Sequence, residues 1–297
     1  MRPVFDWNLV HKTIPLGKRT LIMGVVNVTP DSFSDGGLHL DPNEACSYAL
    51  KLLDDGADII DIGGESTRPG VAVLGAKFSS EGRLPVSEDQ ELERVIPVIT
   101  ALKQARPSGL ISIDTYKAWV ARKAVEAGAE IVNDVSAARW DPAMRKTLAE
   151  LKCGVILMHS RGRPHEWSGL SPSSDIVLEI KRDFREWIDA AAIAGVKRDR
   201  IVLDPGFGFG KRLEENYPLL RRFAELHQLR FPLCVGVSRK SFIGRALARD
   251  GKDAPVGERT AGTIAAEAAA ILMGAHIIRT HDVKSAADAA RIADLAS

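Results

Sequence analysis

The sequence has no long apolar run, no excess of charge of one sign, and only three cysteines in 297 residues. No stretch approaches the ~20 apolar residues of a membrane-spanning helix, so we expect no membrane segment or membrane partner. Lysine and arginine number 40 against 39 aspartates and glutamates, and a net charge of +1 provides no basic field for nucleic acid. Cys46, Cys153 and Cys234 lack metal-type spacing, and we predict reduced structural thiols in a cytoplasmic protein.

Signatures of a tightly held metal are also missing. The sequence contains no HxH or HExxH pattern and no acidic pair at ligand spacing. A magnesium ion shared with a substrate phosphate is still compatible with the sequence, because Mg²⁺ keeps several waters and takes only one or two protein ligands.

Eight short apolar runs each end in a polar residue, with helix-like patterns between them. The runs are residues 21–27, 59–61, 111–114, 131–134, 155–159, 201–204, 233–238 and 277–280. Eight parallel strands alternating with helices close most naturally into a (β/α)8 TIM barrel, whose active site lies at the carboxyl ends of the strands. We therefore predict one α/β barrel domain over residues 1–297, with residues 1–18 as an N-terminal lead-in that forms a short hairpin at the barrel bottom. An open doubly wound sheet, with its ligand at one switch point, is the alternative.

The segment IVLDPGFGFGK, residues 201–211, is the strongest local signal for a functional strand end. Asp204 stops the apolar run, and the three glycines that follow let the backbone approach a ligand. Phe207 and Phe209 lie between these glycines and offer aromatic walls. A turn capped by an aspartate is the alternative interpretation of this segment taken alone.

Long loops are predicted after the first and second strands. The first strand ends at Asn27, and the polar loop that follows runs to a helix near Pro42, a length that is usually functional. The second strand leads into GGESTRPG, where Thr67 and Arg68 beside glycines suggest an anion clamp. Asn27 bonded to the loop backbone, or an exposed arginine in a turn, would explain each residue without a ligand.

Later strand ends carry further candidates. The third and fourth strands present Asp114 and Asn133, and the fifth presents His159, which is either a catalytic base or, more often at such a position, a hydrogen-bonded structural residue. Lys240 follows the seventh strand and could bind phosphate, form a Schiff base or donate to a heterocycle. Arg279 and His281 end the eighth strand, a region where barrels often bind phosphate.

Taken together, eight segments resemble one known family. They are MGVVNVTPDSFSDGG, DIGGESTRPG, ISIDT, IVNDVS, LMHS, DPGFGFGK, VGVSRKSFIG and IIRTHDV, in this order from about residue 21 to the C-terminus. They resemble the dihydropteroate synthases, the folate-pathway enzymes that sulfonamides inhibit. The resemblance implies a (β/α)8 barrel that joins 6-hydroxymethyl-7,8-dihydropterin diphosphate to 4-aminobenzoate with Mg²⁺ on the diphosphate. It also implies an SN1-like pathway through a pterin methylene cation, and a homodimer.

The resemblance further implies a role for each candidate residue. Pterin would be bound by Asp114, Asn133, Met158, Asp204, Lys240 and Arg279; diphosphate by Asn27, Thr67, Arg68, Arg279 and His281; aminobenzoate by Pro69, Phe209 and Ser241; and magnesium by Asn27. Asp35, Lys240 and Arg68 would be the catalytic residues, with Asp35 stabilising the cation.

Three other functions compete with this one. A pterin-binding methyltransferase shares the Asp114, Asn133 and Asp204 positions but is not expected to carry NVTPDSFSDGG and SRKSFIG. A noncatalytic pterin-binding module would have lost catalytic residues, and an aldolase would use Lys240 as a Schiff base. The sequence also departs from the family, because residues 71–84 intervene before Pro85 and should lengthen the second loop.

Overall fold

The computed structural model describes residues 2–29, 41–66, 73 and 85–296. The strands in these ranges are β1 (Phe5–Asn8), β2 (Thr13–Leu16), β3 (Leu21–Asn27), β4 (Ile59–Gly63), β5 (Leu110–Asp114), β6 (Ile131–Asp134), β7 (Gly154–Met158), β8 (Ile201–Asp204), β9 (Cys234–Val235) and β10 (Ile277–Thr280). The α-helices are α1 (Pro42–Asp54), α2 (Glu88–Ala105), α3 (Ala118–Glu126), α4 (Met144–Leu151), α5 (Ile176–Ile193), α6 (Asn216–Arg221), α7 (Ser241–Ala246), α8 (Thr260–Leu272) and α9 (Val283–Leu295).

Strands β3 to β10 form a closed parallel barrel. In the described chain the eight-stranded sheet has the order β8-β7-β6-β5-β4-β3-β10-β9, and a parallel bridge between Leu203 and Leu233 joins its two ends. The strands are almost wholly buried, because the barrel interior covers one face and the helices cover the other. The predicted (β/α)8 barrel is therefore confirmed, and the doubly wound alternative is wrong.

The predicted N-terminal hairpin is also confirmed. Strands β1 and β2 pair antiparallel, and the buried Trp7 donates from Nε1 to the carbonyl of Arg200 at 2.7 Å. Trp7, Leu9 and Leu16 join an apolar cluster with the first residues of the barrel strands. Gly154 opens β7 here because a Cβ would lie 2.4 Å from Cδ2 of Leu9. The hairpin therefore covers the end of the barrel where the strands begin, opposite the end where the active site is predicted.

Four of the eight predicted barrel strands have different bounds in the structure. The seventh barrel strand is two residues long where six were predicted, since Pro232 precedes it and the chain turns away after Gly236. Helix α5 ends at Ile193 because Gly195 adopts a left-handed φ of 102°. Helix α2 follows its N-cap Ser87, which forms a capping box with Gln90. None of the helices in the described ranges is long and apolar enough to cross a membrane.

Candidate active site

Six of the predicted site residues lie at the carboxyl ends of barrel strands. They are Asn27 on β3, Asp114 on β5, Asn133 on β6, Met158 on β7, Asp204 on β8 and Arg279 on β10. In a parallel barrel these ends open on the same face, so residues far apart in sequence come together. The structure confirms this arrangement for Asn133, Asp114 and Arg279, which belong to one hydrogen-bonded network.

The centre of the network is an arginine held by two carboxylates. Arg279 donates from Nε to Oδ2 of Asp61 at 2.6 Å and from Nη2 to Oδ2 of Asp114 at 2.7 Å. Asn133 donates from Nδ2 to the same oxygen of Asp61 at 3.0 Å. Burial raises the pKa of Asp114 to about 7, against the opposing charge of Arg279. The site therefore concentrates acceptor oxygens around one fixed guanidinium.

Asp204 and Lys240 form the second part of the site. Asp204 accepts from the backbone N–H of Gly206 at 2.7 Å, and burial raises its pKa while the nearby charge of Lys240 opposes this. Burial lowers the pKa of Lys240 to about 8. Lys240 donates from Nζ to the carbonyl of Phe207 and lies 4.4 Å from the ring centre of Phe209. A carboxylate and an ammonium thus border the glycine-rich loop.

The glycine-rich loop is braced by a buried lysine. Nζ of Lys211 donates to the carbonyls of Gly206 (2.7 Å), His159 (3.1 Å) and Phe209 (3.2 Å). Burial lowers the pKa of Lys211, but three carbonyl acceptors match the three N–H donors of the ammonium form. Gly206 is required for this approach, because its φ is 65° and a Cβ would lie 2.0 Å from the His159 oxygen.

His159 is a structural residue and not a base. Its ring is fully buried, stacks on Trp187 at 5.0 Å and lies 3.3 Å from Asp183 through Nε2. Burial lowers its pKa to about 3, so the imidazole is neutral at pH 7. Because Trp187 and Asp183 are both on α5, the side chain faces the helix layer outside the barrel.

An apolar cluster forms one wall of the site. Its members are Val73, Tyr116, Val135, Trp140 and Met158, with Phe209 packed against them. Trp167 meets the ring of Phe209 edge-on at 5.5 Å. Val73 belongs to the segment 71–84 that departs from the family, and it is fully buried in this cluster. At this residue the insertion is part of the wall and not a passive surface loop.

Comparisons with known proteins decide the family. The family model described as "Pterin binding enzyme" matches residues 23–281. The dihydropteroate synthase of Synechocystis is 44% identical over 98% of this chain and 92% of its own length, and that of Escherichia coli is 43% identical over 92% and 90%. The Yersinia pestis dihydropteroate synthase solved with a sulfonamide drug has a TM-score of 0.86 at 39% identity, with 98% of each chain covered.

The chain belongs to the dihydropteroate synthase family. A Xanthomonas albilineans dihydropteroate synthase solved with 7,8-dihydropteroate is also similar, with a TM-score of 0.81 at 38% identity over 99% of this chain and 98% of that one. The resemblance in the sequence is thereby confirmed, and so is the prediction of a transferase of folate biosynthesis.

Several of the site residues that the family resemblance implies are not members of the hydrogen-bonded network. Asp35, Thr67, Arg68 and Pro69, and most of both predicted long loops, lie outside the described residues. Ser241 is the exposed first residue of α7. His281 and Asn27 are half-buried, and Nδ1 of His281 lies 3.0 Å from Oγ of Ser238. The roles of these residues stay predictions.

The sequence analysis missed two buried groups next to the site. Asp61 was identified only as a strand end, although an acid at the end of an apolar run is the same signal that singled out Asp204. The other group is Lys117, which donates from Nζ to Oε2 of Glu65 at 2.6 Å and to Oε2 of Glu91. The sequence does not show that Lys117, Glu65 and Glu91 are partners, because they lie in separate parts of the chain.

Replacing Lys240 tests the second part of the site. We expect Lys240→Ala to weaken pterin binding by roughly 1.5–3 kcal/mol, the cost of losing a charged donor in a closed pocket, which is about tenfold to 150-fold in Kd. Titration calorimetry with 6-hydroxymethylpterin measures this, with the exposed Lys252→Ala as the control. A Kd within about twofold of the parent would contradict the role of Lys240.

Proposed function

We propose that the chain condenses 6-hydroxymethyl-7,8-dihydropterin diphosphate with 4-aminobenzoate to give 7,8-dihydropteroate and diphosphate. The observation that carries this proposal is the set of acceptors Asp114, Asn133 and Asp204 at the barrel mouth, near the ammonium of Lys240. In the reaction the C–O bond to diphosphate breaks, a C–N bond forms between the pterin methylene and the amine, and the amine loses a proton.

The protein would recognise the pterin through the hydrogen-bonding edge of its ring. An aminopyrimidinone presents several N–H donors, which suit carboxylate and amide oxygens such as those of Asp114, Asn133 and Asp204. Lys240 would donate to a carbonyl oxygen or ring nitrogen of the pterin. The guanidinium plane of Arg279, fixed by two carboxylates, would stack on the ring, and Met158 would line the same pocket.

The bond-breaking step would depend on neutralising diphosphate. Asn27, Thr67, Arg68, Arg279 and His281 would surround the leaving group, and this charge stabilisation favours an SN1-like departure. Asp35 would stabilise the methylene cation that remains. The amine needs no strong general base, because an aniline nitrogen loses its proton readily once it is alkylated.

The aminobenzoate would bind beside the glycine-rich loop, between Pro69 and Phe209, with its carboxylate near Ser241. Phe209 supports this placement because its ring adjoins both Lys240 and the apolar wall. The relatives solved with 4-aminobenzoate and with a sulfonamide drug suggest that sulfonamides compete for the same site here.

The donor set fits one weakly held magnesium ion. The amide oxygen of Asn27, half-buried at the end of β3, is a hard ligand of the kind that Mg²⁺ accepts, and phosphate oxygens and water would complete its shell. When bound, the ion would neutralise charge on the diphosphate. Asn27 would hold and orient it at the mouth of the barrel.

Replacing Asn27 tests this magnesium site. We expect Asn27→Ala to lower turnover at limiting Mg²⁺ and to recover part of it when Mg²⁺ is raised, because the other ligands are substrate oxygens and water. Initial rates across a Mg²⁺ titration measure the effect, with exposed Asn43→Ala on α1 as a control. Unchanged activity of Asn27→Ala at low Mg²⁺ would remove Asn27 from the site.

The proposed reaction is tested by diphosphate release. Release should require both the pterin diphosphate and 4-aminobenzoate, and omission of either should abolish it. An aldolase that used Lys240 would instead be trapped by borohydride with a carbonyl substrate. Release without 4-aminobenzoate, or trapping on Lys240, would contradict the synthase.

We propose a cytoplasmic homodimer, assembled through α8 and α9. Ala261 and Ala265 are exposed on α8, and Leu272, Ile292 and Leu295 expose apolar surface on the two adjoining helices. The three cysteines are buried free thiols, as suits a reducing compartment. Light scattering at micromolar concentration should give twice the mass of one chain, and a monomer would count against the dimer.

A further inference from the structure

Asp61 holds two of the proposed pterin-binding side chains with one oxygen. It lies in the middle of β4 and is fully buried, and its Oδ2 accepts from Asn133 and from Arg279. Its other oxygen, Oδ1, has no hydrogen-bond partner in the part of the chain that the structure describes. A buried carboxylate with one unsatisfied oxygen is costly for folding, which suggests a contribution to function.

The contact with Asp61 fixes the direction of the Asn133 amide. An ionised carboxylate can only accept hydrogen bonds, so Asn133 must turn its NH₂ group toward Asp61. The amide oxygen is then the end left for a ligand. If the amide were flipped, it would present N–H donors to a pterin edge that is itself rich in N–H donors.

The same contact fixes the plane of Arg279. Nε is bound to Asp61 while Nη2 is bound to Asp114, and two contacts on one planar group leave it a single orientation. Without Asp61, the guanidinium could rotate about its bond to Asp114. The face of the guanidinium that we propose to stack on the pterin ring would then no longer be held in one orientation.

We propose that Asp61 is a positioning residue for pterin recognition, which orients the Asn133 amide as an acceptor and holds Arg279 in plane. This inference rests on the proposed function, because it concerns how the same pocket reads a pterin. Asp61 acts through Asn133 and Arg279, and its role is separate from the direct contacts of Asp114 and Asp204.

Removal of the shared oxygen tests the role of Asp61. Asp61→Leu should raise the Kd for 6-hydroxymethylpterin about tenfold or more, because Asn133 and Arg279 both lose the acceptor that orients them. Asp61→Asn should bind within about threefold of the parent, because an amide oxygen in the place of Oδ2 can still accept from both side chains. In the background of Asn133→Ala, Asp61→Leu should cost clearly less than it costs in the parent, which corresponds to coupling in a double-mutant cycle.

Coupling to Asn133 and rescue by the amide are outcomes that a merely structural role would not produce. Titration calorimetry with 6-hydroxymethylpterin, which lacks diphosphate, reports pterin recognition directly, and thermal unfolding reports folding separately. Binding by D61L within about threefold of the parent, or additive costs of D61L and Asn133→Ala, would overturn the inference. If D61L does not fold, Asp61→Ala is measured in its place.

The parent protein separates this inference from the proposed function. If the parent binds pterin but does not release diphosphate with both substrates, the proposed function fails while the Asp61 variants still test the role of Asp61. If the parent is active and D61L binds pterin as the parent does, only the role of Asp61 fails. A parent that binds no pterin would overturn both.

Discussion

Lys117→Met should lower the free energy of unfolding by about 3–5 kcal/mol at pH 8, because it leaves two buried carboxylates without their cation. Lys117 and Glu91 are each 1% exposed and Glu65 is 9% exposed, and the ammonium is the partner that both carboxylates share. Burial disfavours the ammonium, yet the charges of Glu91 and Glu65 raise the pKa of Lys117 above its ordinary value. The cluster therefore depends on this one charge.

The loss of unfolding free energy in Lys117→Met should depend on pH. Burial already raises the pKa of Glu91 and the charge of Lys117 opposes it, so removal of the ammonium should raise that pKa further. A group whose pKa is higher in the folded state contributes stability that is complete below its unfolded pKa and is lost as the pH rises through its folded pKa. The deficit of Lys117→Met should therefore be larger at pH 8 than at pH 5.

Urea unfolding of the parent and the variant at both pH values measures this effect. Lys123→Met on α3 is the matched control, because Lys123 is more exposed and pairs with Glu126 near the surface. We expect the control to change stability by less than about 1 kcal/mol. A loss of less than about 1 kcal/mol in Lys117→Met, or a loss independent of pH, would show that the two carboxylates do not need the ammonium.

This cluster also anchors the start of the second predicted loop. Glu65 lies two residues before Thr67, and Arg94 donates to the carbonyl of the neighbouring Gly64 at 2.6 Å. The described chain up to residue 66 is therefore held by α2 and by Lys117. Thr67 and Arg68, the proposed diphosphate ligands, come next in the sequence after this anchored segment.

The architecture could be predicted from sequence because it depends on local patterns that repeat. Four of the eight predicted barrel strands, 21–27, 131–134, 201–204 and 277–280, have the boundaries found in the structure. Each consists of β-branched and apolar residues followed by a polar residue, which is how a strand buried on both faces ends. The strand at 233–238 was predicted too long, since apolar composition does not show where ladder hydrogen bonds stop.

The site could be predicted only in part, because its contacts are set by three-dimensional neighbours. Asp114, Asn133 and Arg279 were found as polar strand ends, but a strand end does not show which partners it meets. Asp61 was missed as a site residue although it connects Asn133 to Arg279, and Lys211 was noted only as the last letter of a motif. Charged groups that act on other protein groups leave a weaker sequence signal than those that face a ligand.

Replacement of Lys211 is the second substitution for which we expect a large loss of stability. It should also change the KM of one substrate more than that of the other. We expect Lys211→Met to destabilise the protein by about 3 kcal/mol, because three buried carbonyl oxygens lose their common donor. The loop from Gly206 to Lys211 carries Phe209, whose carbonyl is one of the three. Loss of the ammonium should therefore loosen the proposed aminobenzoate wall.

The pterin side should be less affected, because most of its contacts lie on other strands. Asp61, Asp114, Asn133 and Arg279 are connected to one another and not through the glycine-rich loop. We therefore expect Lys211→Met to raise the KM for 4-aminobenzoate more than the KM for the pterin diphosphate. Steady-state kinetics at a temperature where the variant is folded measure both, with exposed Lys197→Met as the control. Equal changes in the two KM values would mean that Lys211 supports the barrel mouth as a whole, and no change in either would mean that Phe209 keeps its place without the brace.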